Sequence, residues 1–180
     1  MGEWKRTLVA VGMLVLVTGL VLGGVFLFQG GPRPQASATP SPQTLAVGQA
    51  APDFRGLDVD GNPVSLELLK GRPVWLLFQA TWCSNCRAEI ADVKAAAQEQ
   101  GVTVVAVYLQ EDKDLVTDYV SRLALADLTN MPDPNSAISS AYGVSSVPTH
   151  FFIDADGVLK SVKKGALTAD AMTQELGSLK

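Results

Sequence analysis

Val74-Trp75-Leu76-Leu77-Phe78-Gln79-Ala80-Thr81-Trp82-Cys83-Ser84-Asn85-Cys86 is the stretch on which the fold turns. Its first five residues form a short continuous apolar run between Pro73 and Gln79, the pattern of a strand buried on both faces of a sheet. The run leads straight into two cysteines. Beyond them Ile90, Val93, Lys94 and Ala97 recur at spacings of three or four among Ala-rich helix formers, until Gly101 closes the segment. Strand, cysteine loop and helix therefore follow one another. Val102 to Leu109 is a second, β-branched strand, so Val74 to Leu109 reads as a βαβ unit with a parallel, right-handed crossover.

Towards the N-terminus, Asp53-Phe54-Arg55-Gly56-Leu57 and Val64-Ser65-Leu66 flank Asp58-Val59-Asp60-Gly61-Asn62, a turn composition between two short strands. Towards the C-terminus, Leu115, Val116, Tyr119, Val120 and Leu123 recur with helical period, and Ser136 to Tyr142 reads as a short helix. Thr149 to Ile153 is a strand, Asp156-Gly157 a hairpin turn, and Val158 to Val162 its returning partner. Thr168 is placed to cap a last helix reaching Leu179. Leu125 to Pro134 carries no pattern that can be read. The predicted fold class is α/β, a mixed central sheet with helices on both faces and an N-terminal β-hairpin.

The chain has 180 residues, room for one globular domain with an appendage. The appendage lies at the N-terminus. Residues 7–28 contain no charged side chain, and an apolar run of about 22 residues is long enough for a helix to cross a bilayer. Lys5 and Arg6 precede it and Arg33 alone follows closely, so the positive-inside bias leaves residues 1–6 in the cytoplasm. A cleaved signal peptide is the rival reading, because Ala36-Ser37-Ala38 has the small-residue pattern of a cleavage site. The apolar run is longer than a signal-peptide core, and Pro32 and Pro34 separate it from that site, so the uncleaved anchor is preferred. Either reading exports the rest. Residues 29–46, rich in Pro, Ser and Ala, form a semi-extended linker, and 47–180 form the folded domain. The predicted location is the cell membrane, single-pass, with this domain outside the cytoplasm. A formal net charge of −4 offers no footprint for nucleic acid.

Cys83 and Cys86, two residues apart at a helix start, lie close enough to form a disulfide, and the helix N-terminus stabilises the thiolate of the first. Cys83 is then the nucleophile of thiol-disulfide exchange, and Cys86 attacks back to resolve the mixed disulfide. Structural zinc needs four Cys or His ligands, and the chain has two cysteines and one histidine, His150, so no metal and no cofactor are expected. A purely structural disulfide over so short a ring would restrain little of the unfolded chain, and reactivity explains the placement better. Trp82 either packs beside the sulfurs and restricts approach to them or merely packs at the strand end.

Ala80-Thr81-Trp82-Cys83-Ser84-Asn85-Cys86-Arg87-Ala88-Glu89 resembles the active-site segment of the membrane-tethered TlpA/ResA/CcmG group of thioredoxin-like proteins. Val47-Gly48-Gln49-Ala50-Ala51-Pro52-Asp53-Phe54 resembles the group's opening motif, and Tyr142-Gly143-Val144-Ser145-Ser146-Val147-Pro148-Thr149 the segment that holds its cis-proline. The resemblance implies a thioredoxin-like fold over residues 47–180. It implies a cis bond before Pro148, beside the cysteine pair, and a substrate-facing backbone at Val147; Trp82, Val147 and Pro148 are the expected substrate-binding residues. It also implies a carboxylate near the site at Glu89, which as an isolated helical Glu would be a solvated surface residue. Two departures are visible. Leu77 stands where thioredoxin has a buried Asp, and Gln79 replaces an aromatic. His150 follows Pro148 by two; it either neighbours the site or is an ordinary packed or exposed strand histidine.

The function so implied is an extracytoplasmic protein-disulfide reductase. Its expected partners are exported protein thiols and disulfides, such as the haem-site cysteines of apocytochrome c, and a membrane electron-donor protein. The alternatives are a peroxiredoxin-like peroxidase, for which Cys83 lacks a Thr three residues before it, and a copper-binding chaperone resembling the Sco group, which wants a longer cysteine spacing and a histidine ligand.

Overall fold

The computed structural model describes residues 45–179. The predicted anchor at 7–28 lies outside the described residues, and among the described residues no helix is long and apolar enough to cross a membrane.

The chain enters through a small antiparallel pair, β1 (Arg55–Leu57) and β2 (Pro63–Ser65). Their turn is tied by Asp58 Oδ1, which accepts from the backbone N–H groups of Asp60 at 3.0 Å and Asn62 at 2.8 Å. A 3₁₀ turn, Glu67–Leu69, leads to β3 (Val74–Gln79). Then follow α1 (Ser84–Gln100), β4 (Thr103–Leu109), α2 (Lys113–Leu123), β5 (Thr129–Asp133), α3 (Ala137–Ala141), β6 (Thr149–Ile153), β7 (Leu159–Lys164) and α4 (Ala169–Gly177). The main sheet has the order β5-β4-β3-β6-β7. β3, β4 and β5 are parallel, whereas β6 runs antiparallel to β3 and β7 to β6. The predicted mixed sheet, hairpin and βαβ unit are therefore present.

Side chains alternate across the sheet. On one face Trp75 and Leu77 pack with Ile90 and Val93 of α1, Val116 and Tyr119 of α2, and Met172 and Leu176 of α4. On the other, Leu76 and Phe78 pack with Val107, Phe151, Ile138, Tyr142 and Phe54. Every residue of β3 is buried, which is why it reads as a continuous apolar run. Burial of each such large side chain stabilises the fold by about 1.5 to 3 kcal/mol. α1 stops at Gly101, whose φ of 68° is a left-handed conformation that costs glycine little. α2 and α4 begin on Asp112 and Thr168, whose side-chain oxygens accept from Leu115 N–H and Ala171 N–H.

The segment that could not be read, 125–134, contains β5. It is an edge strand, so Pro132 is tolerated there. Its polar residues are consumed internally: Asn130 donates to Leu125 O and Leu128 O and accepts from Tyr108 Oη. Asp133 accepts from Ile138 N–H and Ser139 N–H, capping α3 where Ser136 provides no cap.

Candidate active site

β3 and β4 are parallel and end together, Gln79 opposite Tyr108, so the loops that follow them emerge side by side. β6 runs the other way, with Phe78 opposite Thr149, which brings the segment before Thr149 to the same edge. The cysteine loop, the loop after β4 and Val147-Pro148 therefore converge at the carboxyl ends of the parallel strands.

Cys83 and Cys86 form a disulfide, with their Cα atoms 5.3 Å apart. Cys83 is the N-cap of α1: its Sγ accepts from the Cys86 backbone N–H at 3.1 Å, the geometry that would hold a thiolate there once the bond is reduced. Cys83 retains 6% exposure and Cys86 1%, so solvent and substrate reach the first sulfur ahead of the second. Ala80 packs with both cysteines, and Val147 closes over them. The Val147–Pro148 bond is cis, as the resemblance implied. The Pro148 carbonyl is used within the fold, accepting from Gly165 N–H at 2.9 Å.

Trp82 is not packed at the strand end. It is 70% exposed, outside the core and next to Cys83 in the chain. An indole left in solvent next to a reactive sulfur offers apolar surface to an approaching protein.

Glu89 is buried, not solvated. It lies on α1 one turn beyond Cys86, on the same side-chain stripe. Its Oε2 accepts from Leu167 N–H at 2.8 Å, while Oε1 makes no hydrogen bond and has His150 Nε2 3.5 Å away. Burial pushes the Glu89 pKa up to about 7, against the lowering effect of the Leu167 N–H and with a small push from Asp92. His150 is a packed strand histidine, fully buried, its Nδ1 accepting from Trp75 Nε1–H at 3.3 Å and its Nε2 3.2 Å from Gly165 O. Burial pushes its pKa down to about 4. With both ring nitrogens occupied within the fold, His150 is not placed to bind a metal together with the cysteines. Among the described residues no group of three His, Cys, Asp or Glu is placed to hold a metal ion. Leu77, the cross-strand neighbour of His150, leaves the sheet apolar where thioredoxin has its Asp. Gln79 is fully buried, and its amide has no hydrogen-bond partner among the described residues.

Glu111 was not singled out from the sequence. It follows β4 by two residues and is 4% exposed. Its carboxylate accepts from Thr81 N–H at 2.9 and 3.1 Å and from Thr81 Oγ1 at 2.7 Å, clamping the chain two residues before Cys83. The available signal was positional: an acid just past the end of the strand parallel to the cysteine-bearing one.

The sequence profile of the redoxin family matches residues 46–178. The chain is 36% identical to the thiol-disulfide oxidoreductase ResA of Oceanobacillus iheyensis, over 74% of this chain and 72% of that one. It is 34% identical to the ResA of Geobacillus thermodenitrificans, over 76% and 79%. Among solved structures, a secreted Mycobacterium tuberculosis disulfide oxidoreductase homologous to Escherichia coli DsbE superposes with a TM-score of 0.64 at 27% identity, covering 70% of this chain and 96% of that one. With a disulfide at the head of a helix, a cis-proline against it and these relatives, the chain belongs to the redoxin family, as a thioredoxin-like thiol-disulfide oxidoreductase of the TlpA/ResA/CcmG group.

Proposed function

We propose that this oxidoreductase works as a reductase of exported proteins, tethered to the cell membrane by residues 7–28 and fed by a membrane electron donor. The observation that carries the direction is the charge around the dithiol. The two buried acids Glu89 and Glu111 flank the cysteine loop, and no Lys or Arg among the described residues is buried. Buried carboxylates oppose a thiolate and offset the N–H that Cys86 offers to Cys83 Sγ, and a pair whose reduced form gains little overall gives its electrons away readily. The export reading is supported by the uncharged run at 7–28 and the basic pair before it.

In the reduced enzyme the Cys83 thiolate attacks a substrate disulfide; a Cys83–substrate S–S bond forms and the departing substrate sulfur leaves as thiolate. Cys86 then loses its proton to the Glu89 carboxylate and attacks Cys83 Sγ. The mixed disulfide breaks and the second substrate sulfur also leaves as thiolate; one proton returned by Glu89 and one from water make the substrate a dithiol, and the two electrons of the pair have moved to it. Trp82, Val147 and Pro148 form the surface on which the substrate segment lies. Apocytochrome c, with two haem-site cysteines, is the substrate proposed.

Cys86→Ser in the full-length chain removes the resolving sulfur, and mixed disulfides accumulate on Cys83. In intact cells the trapped partners are expected to be extracytoplasmic proteins, c-type apocytochromes among them. Trapping confined to cytoplasmic proteins would contradict the proposal.

A further inference from the structure

The buried acid and the buried base meet from opposite layers, α1 and β6, and their hydrogen bonds define what each can do. An indole N–H only donates, so Trp75 makes His150 Nδ1 an acceptor, and the proton of the neutral ring resides on Nε2. That single N–H faces two acceptors, Gly165 O at 3.2 Å and Glu89 Oε1 at 3.5 Å. Glu89 Oε2 is already satisfied by Leu167 N–H, so Oε1 is the oxygen still lacking a donor. We propose that His150 is a positioning residue for the exchange reaction: its Nε2–H turns from Gly165 O to Glu89 Oε1 when the carboxyl ionises, and so governs when that carboxyl accepts the Cys86 proton. This rests on the reading of Glu89 as the proton acceptor.

The surroundings leave this task to His150. On α1, Asp92 adds negative charge that hinders ionisation of Glu89, and Cys86, the proton source in the proposed reaction, lies one turn before it. From β7, Lys163 stands opposite His150 in the sheet, but its ammonium is 2.9 Å from Glu175 of α4, which also accepts from Ser161 Oγ. The loop before α4 contributes a backbone donor, Leu167 N–H, and no charge. Because burial keeps His150 neutral above about pH 4, it acts as a neutral donor and not as a counter-ion. Leu77, beside it on β3, gives the carboxyl no alternative partner.

The test follows the second step of exchange with an aromatic disulfide probe. The reduced full-length chain releases one aromatic thiolate when Cys83 attacks and a second when Cys86 resolves, and the rate of the second is measured against pH. In the wild type this rate is expected to rise through an acid limb near the Glu89 pKa, and Glu89→Gln is expected to abolish that limb. His150→Phe, which keeps the ring volume without the donor, is expected to move the limb up by roughly one pH unit, the equivalent of one lost hydrogen bond to a charged group. His150→Gln, which restores an N–H, is expected to move it back. In the wild type, without any substitution, the His150 Nε2–H proton resonance should shift with the midpoint of the limb. A limb at the same pH in His150→Phe, or a resonance indifferent to Glu89 ionisation, would overturn the role of His150 while leaving Glu89 as proton acceptor. A limb unaffected by Glu89→Gln would overturn that reading as well.

Discussion

Burial acts on Glu89 and His150 in opposite senses, because one is charged when it loses a proton and the other when it gains one. Glu89 is raised from 4.5 to about 7, so between those values the folded chain holds a proton that the unfolded chain has released, and stability falls as pH rises through them. His150 is lowered from 6.5 to about 4, so the unfolded chain takes a proton that the folded chain excludes, and stability falls as pH drops through that window. The two slopes oppose each other where they overlap. Glu89→Gln keeps the acceptor for Leu167 N–H and removes one slope. Urea unfolding is expected to show the variant more stable than wild type above about pH 7, by at most about 3 kcal/mol, with a gain that vanishes towards about pH 4.5. Equal pH dependence in the two proteins would refute the burial of an ionisable Glu89. Trp82→Ala should shift unfolding by no more than about 0.5 kcal/mol, since the side chain is exposed, yet raise KM for a protein substrate; an unchanged KM would remove the indole from substrate contact. Cys83 and Cys86 were legible in the sequence because their chemistry lies in their spacing. The burial of Glu89 was not, because it depends on His150 and on Leu167, whose N–H comes from 78 residues away.

Between elements, the Glu111 clamp ties the loop after β4 to the loop after β3 and so holds the peptide that leads into Cys83. Glu111→Ala leaves the Thr81 N–H and hydroxyl without their acceptor in a part-buried site. It should destabilise the domain by roughly 2 to 4 kcal/mol and slow the attack of Cys83 more than it changes the order of the two steps. Full activity and an unchanged melting temperature in this variant would show that the clamp is dispensable. Most elements were readable from apolar period and turn chemistry, as β3, α1 and β6 illustrate. β5 was hidden because Asn130 and Asp133, which look like loop residues, spend their polar atoms on Tyr108 and on the start of α3. Polarity marks a loop only when it is solvated, and here it is not.

For the whole molecule, strand directions do the assembling. Parallel β3 and β4 deliver the cysteine loop and the Glu111 loop to one edge, and antiparallel β6 returns Val147-Pro148 to it. The parallel unit from Val74 to Leu109 foretold that edge, while the second crossover through α2 to β5 could not be completed without the hidden strand. Two buried acids also lie on the segments that flank the cysteine pair, Glu111 hydrogen-bonded to Thr81 and Glu89 one turn beyond Cys86, and on the proposed function they favour the disulfide over the thiolate. The most direct test is the equilibrium reduction potential of the Cys83–Cys86 pair, titrated against a thiol-disulfide buffer. A value as negative as that of thioredoxin, about −270 mV, is expected, whereas a value of about −120 mV would mark a disulfide donor and rule out a reductase.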